Sequence, residues 1–181
     1  MSLVELAVNR ISYSQSQNGA YALILEEIDG KRKLPIVIGG FEAQSIAIAL
    51  DKEIQPPRPL THDLMIALLE KLNVSIEYVL IDSMKNETFY AKLAMKINDK
   101  VEFIDSRASD AIALAVRASC PIYANDDVVN NVGVSLDHMA KTAENKSQKY
   151  LSKENKIQSG DIDISEFADF IDSLDLDNLG K

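Results

Sequence analysis

The sequence predicts an α+β domain: a mixed, mostly antiparallel sheet built from a duplicated strand-strand-strand-helix unit, with a C-terminal helical tail. Three observations predict it. Several stretches alternate apolar and polar residues, the period-two signature of half-buried strands. Others place apolar residues at i, i+3, i+4 and i+7, the signature of one buried helix face. The order of these stretches then recurs, as it does when one supersecondary unit is repeated.

Val4, Leu6 and Val8 alternate with Glu5, Ala7 and Asn9 and give a first strand. Ser14 to Gly19 is polar and turn-rich, and Ala20 to Ile28 is a second strand. Asp29-Gly30 is a hairpin signal. Leu34 to Ile38 is a third strand, in which Pro35 calls for a first position or an edge, because it cannot donate to a ladder. After Gly39-Gly40, the stripe Ala43, Ile46, Ala47, Leu50 predicts a helix. Ile54 to Pro59 holds three prolines and predicts a loop. Thr61 is a candidate N-cap for a second helix with the stripe Met65, Leu68, Leu69, Leu72.

The order then repeats. Val74 to Ile81 and Phe89 to Ile97 read as strands, Asn98-Asp99 as a turn, and Val101 to Ile104 as a strand. Ser106 is a candidate cap for a helix with Ala108, Ala111, Ile112 and Ala115 on one face. Aligning Ile46 with Ile112, an offset of 66, pairs Ile38 with Ile104, Glu42 with Ala108 and Gln44 with Asp110. On that alignment the polar residues differ between the halves. A short strand and helix are expected around Asp126 to Val134. The main domain is expected over 1–135, a polar linker over 136–160, and an acidic amphipathic helix with Ile164, Phe167, Ile171 and Leu174 over 161–181. That helix has the character of a segment that docks on its own domain, on a neighbouring subunit or in a partner's groove.

Composition narrows the class. The net charge is −9, which weighs against nucleic-acid binding because phosphate contacts draw their affinity from Lys and Arg. No apolar run is long enough to cross a bilayer, so no membrane role is expected. The N-terminus does not read as a signal peptide. Cys120 is the only cysteine, so neither an internal disulfide nor a cysteine zinc site can form; a reducing, cytoplasmic location is expected.

Three blocks put polar residues at strand-to-helix or loop-to-helix junctions, where backbone N–H groups and binding sites concentrate. They are Leu34-Pro35-Ile36-Val37-Ile38-Gly39-Gly40-Phe41-Glu42-Ala43, Pro57-Arg58-Pro59-Leu60-Thr61-His62-Asp63-Leu64, and the run from Ile104 through Asp105, Arg107, Ser109 and Asp110 to Arg117, followed by Pro121-Ile122. In order and spacing, over roughly residues 1 to 135, these blocks resemble the bifunctional nuclease (DNase/RNase) domain family. One departure is Ala108, where the family pattern has proline. The resemblance implies hydrolysis of RNA and DNA phosphodiesters by an oligomer-forming mixed α+β domain, hence nucleic acid and a homo-oligomer as partners.

An enzyme that cuts both sugars cannot rely on the 2′-OH and must activate water; a divalent cation on carboxylates is the common solution. Mg²⁺ or Mn²⁺ is therefore the expected cofactor, with Asp105 and Asp110 as candidate ligands. The candidate catalytic residues are Glu42, His62, Asp63, Asp105 and Asp110. Arg58, Arg107, Ser109 and Arg117 are the candidate substrate-binding residues. Each has a plainer role open to it: helix capping for Asp105 and Asp110, a structural ion pair for Arg107 and Arg117, an ordinary hydrogen bond for His62, a first-turn position for Ser109. Arg58, held between prolines, is the least easily explained that way. Asn155 to Glu166 has Gly160 and Glu166 where the second half of an EF-hand loop has them, but Ile157 stands at a ligand position, and a polar turn before a helix fits better. The rival to a nuclease is a non-enzymatic anion-binding or regulatory and oligomerisation module.

Overall fold

The computed structural model describes residues 2–13 and 19–135. The expected linker, His138, the Asn155 to Glu166 loop and the acidic tail helix lie outside the described residues.

Eight strands and four helices follow in the order β1 (Leu3–Tyr13), β2 (Ala20–Glu27), β3 (Arg32–Gly39), α1 (Gly40–Leu50), α2 (Thr61–Lys71), β4 (Ser75–Lys85), β5 (Thr88–Ile97), β6 (Lys100–Arg107), α3 (Ala108–Ala118), β7 (Ile122–Asn125), α4 (Asp126–Val132) and β8 (Val134–Ser135). The strands form one sheet in the order β6-β5-β4-β7-β1-β2-β3-β8. All neighbours are antiparallel except β4 and β7, which are parallel. The sheet is therefore mixed and mostly antiparallel, as predicted. Pro35 pairs with Ile24 on one side, while β8 reaches only Arg32 and Lys33 on the other. Its missing N–H thus costs no ladder bond.

Tight hairpins join β4 to β5 and β5 to β6. Asn98 and Asp99 have φ of 48° and 64°, the left-handed pair that a two-residue turn requires. Asn86 and Glu87 do the same between β4 and β5, with φ of 49° and 61°. Sequence reasoning passes over the second turn because glutamate is not a residue this geometry favours.

The core lies on one face of the sheet. Leu6, Leu23, Leu25, Leu34, Ile36, Val79, Ile81, Leu93 and Ile122 are buried there with Ile46 of α1, Ile112 and Leu114 of α3, and Val129 of α4. These α1, α3 and α4 residues join one continuous cluster, so the three helices cover the same face. Burying a Leu or Ile side chain is worth about 1.5–3 kcal/mol. Arg32 ties α4 to the sheet through Glu27, Asp126 (2.9 Å) and Asn130 (2.5 Å).

Several local expectations need correction. The N-cap of α2 is Leu60, not Thr61, and the N-cap of α3 is Arg107, because β6 extends through Ser106. In α1, Leu50 is exposed and Ile48 is buried. Most of the stripe expected to bury α2 faces solvent instead: Leu68 is 53% and Leu72 69% exposed, and Met65 is exposed as well. Only Ile66 and Leu69 pack against the core.

The recurring order of elements also starts at a different offset from the one read in the sequence. β2 begins at 20 and β5 at 88, β3 at 32 and β6 at 100, α1 at 40 and α3 at 108, an offset of 68 in every case. At that offset Glu42 corresponds to Asp110, each the third residue of its helix. Chance Ala and Ile matches favoured the offset of 66 and hid this correspondence.

Candidate active site

β3 and β6 stand far apart in the strand order, yet the residues following them meet. The sheet is coiled enough to bring the starts of α1 and α3 together, as strongly twisted sheets allow. From β6, Arg107 donates from Nε and Nη2 to both carboxylate oxygens of Asp110, at 2.6 and 3.1 Å. Its Nη1 donates to Glu42 Oε1 at 2.9 Å. Arg107 thus links the two equivalent acids, one from each unit, in the fork geometry that makes guanidinium pairing strong. Its side chain is nevertheless 67% exposed.

His62 joins from the first turn of α2. Its Nε2 lies 3.2 Å from Asp110 Oδ1 and its Nδ1 2.8 Å from Ser45 Oγ. Burial alone would raise the Asp110 carboxyl, but hydrogen bonds from Arg107 and His62 outweigh it and hold the group below its ordinary value of 3.8. In the tautomer with hydrogen on Nε2, His62 donates to Asp110 and accepts the Ser45 hydroxyl at Nδ1.

These groups line one open cleft of about 640 Å³, within the range of small-molecule sites. Glu42, Ser45, His62, Asp105, Arg107 and Asp110 are on its wall, with Phe41, Leu60 and Met65 supplying apolar surface. Ser109 is nearly buried and lines a neighbouring depression of about 560 Å³, separated from the first by Glu42 and Arg107.

Asp63 and Arg117 face each other instead. Arg117 Nε donates to Asp63 Oδ1 at 2.5 Å, and Nη1 donates to the carbonyls of Ser45 and Ala113 at 3.1 and 3.0 Å. Its side chain is only 7% exposed. Arg117 therefore braces α1, α2 and α3 where they carry Ser45, His62 and Asp110. Asp63 also accepts the Leu60 N–H at 2.8 Å, closing the first turn of α2. Burial works against its ionised form, but Arg117 and that N–H prevail and keep its carboxyl low. Arg58 is exposed in the proline loop and has no side-chain partner among the described residues.

Among the described residues no group of three or more His, Cys, Asp or Glu side chains could hold a metal ion. Glu42 and Asp110 place two carboxylates against one guanidinium, and Asp105 adds a third acid to the wall. Mg²⁺ asks for only one or two carboxylates, with waters and phosphate completing its shell. No described helix is long and apolar enough to cross a membrane.

Sequence reasoning missed Ser45. It lies one turn beyond Glu42 and so shares its helix face, which was the available signal.

Fold and cleft together define an α+β domain whose polar site is assembled from the helix starts of two like units. Residues 23–137 match the model of the bifunctional nuclease domain, and the chain belongs to that family. It is 35% identical to an uncharacterized protein of Mycobacterium tuberculosis strain H37Rv over 180 residues, 97% of each chain. It is 31% identical over 121 residues to Bifunctional nuclease 1 of Oryza sativa subsp. indica. With Bifunctional nuclease 2 of Arabidopsis thaliana the identity is 28% over 120 residues. Each plant match covers 64% of this chain and 36% of the relative, so the chain spans about a third of those proteins.

Proposed function

We propose that this protein hydrolyses phosphodiester bonds of RNA and DNA in the cleft between α1, α2 and α3. The observation that carries the reading is the convergence of Glu42, His62, Arg107 and Asp110, from three separate stretches of chain, on one open cleft. Arg107 holds a phosphate with the fork now shared by Glu42 and Asp110. Asp110 fixes the His62 ring, and His62 moves the proton as general base and then general acid. Arg58, exposed on its rigid loop, adds a contact to the nucleic-acid backbone. The excess of acid over base supports a divalent ion arriving with substrate, held by Asp110 with Asp105 or Glu42. Bound there, Mg²⁺ or Mn²⁺ would supply Lewis acidity at the phosphoryl oxygens.

The test is cleavage of end-labelled single-stranded RNA and DNA by wild type and Asp110→Asn, in Mg²⁺, Mn²⁺ or EDTA. Cleavage by wild type and its loss in Asp110→Asn is the expected result; equal cleavage by both would contradict the reading. The net charge of −9 favours a second reading, a non-enzymatic anion-binding or regulatory module. It predicts binding of the same oligonucleotides without cleavage.

We propose further that the two units share an origin, and that the protein works as a homo-oligomer in the cytoplasm. Support for the oligomer comes from Leu64 and Leu68 of α2, from Leu72 at its C-cap and from Phe41, 84% exposed, which offer apolar surface for a second copy. Support for a reducing location comes from the lone Cys120. The acidic segment 161–181 is proposed to engage a partner protein.

A further inference from the structure

Resting on the phosphodiesterase reading of the cleft, we propose that Ser45 is its nucleophile and that turnover passes through a covalent phosphoseryl intermediate. Three observations carry this. Ser45 Oγ lies 2.8 Å from His62 Nδ1, and His62 Nε2 lies 3.2 Å from Asp110 Oδ1. Hydroxyl, imidazole and carboxylate thus stand in line, the arrangement that activates serine elsewhere. Ser45 opens onto the same cleft as Arg107, the group that holds the phosphate.

The setting of Ser45 is unusual for a helical serine. A serine inside a helix ordinarily returns its hydroxyl hydrogen to the carbonyl one turn back. Here the one hydrogen bond of its side chain among the described residues is to His62. Its backbone is held as well, since Arg117 donates to its carbonyl at 3.1 Å. Asp110 is fixed in turn by the Arg107 fork. Ser45 and Asp110 are thus each held by a group that plays no part in the proton transfer.

The balance is simple. Oγ bonds to phosphorus and the bond to the leaving oxygen breaks. The Ser45 proton passes to Nδ1 and then to the leaving oxygen. Water next adds to phosphorus and gives its proton to Nδ1. The Oγ–P bond breaks and Oγ recovers the proton. No step uses the 2′-OH, so RNA and DNA are served alike.

The test treats the full-length protein with a fluorophosphonate, an organophosphorus electrophile that modifies activated serines. Adducts are located by peptide mass mapping, and cleavage of labelled RNA and DNA is measured in parallel. Wild type should carry one adduct on Ser45, absent from Ser45→Ala and His62→Ala. Ser45→Ala should keep its circular dichroism spectrum and lose cleavage by about 10³-fold or more. Cleavage by wild type with no adduct on Ser45, or by Ser45→Ala within twofold of wild type, overturns the nucleophile and leaves the phosphodiesterase reading standing. An adduct on Ser45 without cleavage of either nucleic acid does the reverse, keeping an activated serine and removing the phosphodiesterase.

Discussion

Glu42 owes its place to a residue without a side chain. A Cβ at Gly39 would sit 2.5 Å from Glu42 Oε2. The carboxylate would have to shift, disturbing the 2.9 Å bond that its other oxygen accepts from Arg107. Gly39 has φ of −77°, which alanine adopts without strain. Gly39→Ala should therefore fold normally and lose about tenfold in cleavage rate, roughly 1.4 kcal/mol of barrier; unchanged kinetics would mean that Glu42 does not matter. Asp63 makes a separate prediction. Its carboxyl is held below 3.8 in the folded protein. The stability from this depression is complete above the unfolded value and is lost as pH falls through the folded one. Thermal melts of wild type should fall more steeply below about pH 4 than those of Asp63→Asn, and parallel curves would contradict this. The sequence marked Glu42, His62, Arg107 and Asp110 because they sit at element junctions. It did not mark Ser45, which occupies an ordinary place within a helix pattern. Arg58 drew notice for its prolines, yet proline rigidity does not aim a side chain.

Arg117 works on the scale of whole elements. It joins α2 through Asp63, α1 through the Ser45 carbonyl and its own helix through Ala113. Removing one partner of a fully buried pair costs about 3–5 kcal/mol; the half-exposed Asp63 lowers this to about 2–3 kcal/mol. Arg117→Met should lower Tm by about 6–9 °C, near 3 °C per kcal/mol. Cleavage at a temperature where the variant is folded should drop too, because Ser45 and His62 lose their common brace. A variant as stable as wild type would show that the pair is incidental. On α2, Leu68→Lys with Leu72→Lys should shift light scattering to a smaller species if a second copy covers this surface; an unchanged mass would assign the stripe to something else. The strands were legible because alternation reports a half-buried sheet directly. α2 was not, because its apolar stripe carries no mark of which partner, if any, covers it.

At the scale of the molecule, the site exists because two like units are in step. At the offset of 68, the third residue of α1 and the third residue of α3 are both acids, and Arg107 spans them. The sequence showed the repeated order of elements. The correct register stayed hidden, since Ala-rich and Ile-rich helices match themselves at several offsets. The coiling that brings β3 and β6 together is a property of the whole sheet and leaves no local mark. The central claim is that His62, Asp110 and Arg107 act as one assembly on a phosphodiester. Cleavage rates of His62→Ala, Asp110→Asn and the double variant test it most directly. One assembly predicts that each single change costs about 10²-fold or more and that the double is scarcely worse than the weaker single, as for groups acting as a unit. Losses that multiply, or single variants that cleave like wild type, would contradict it.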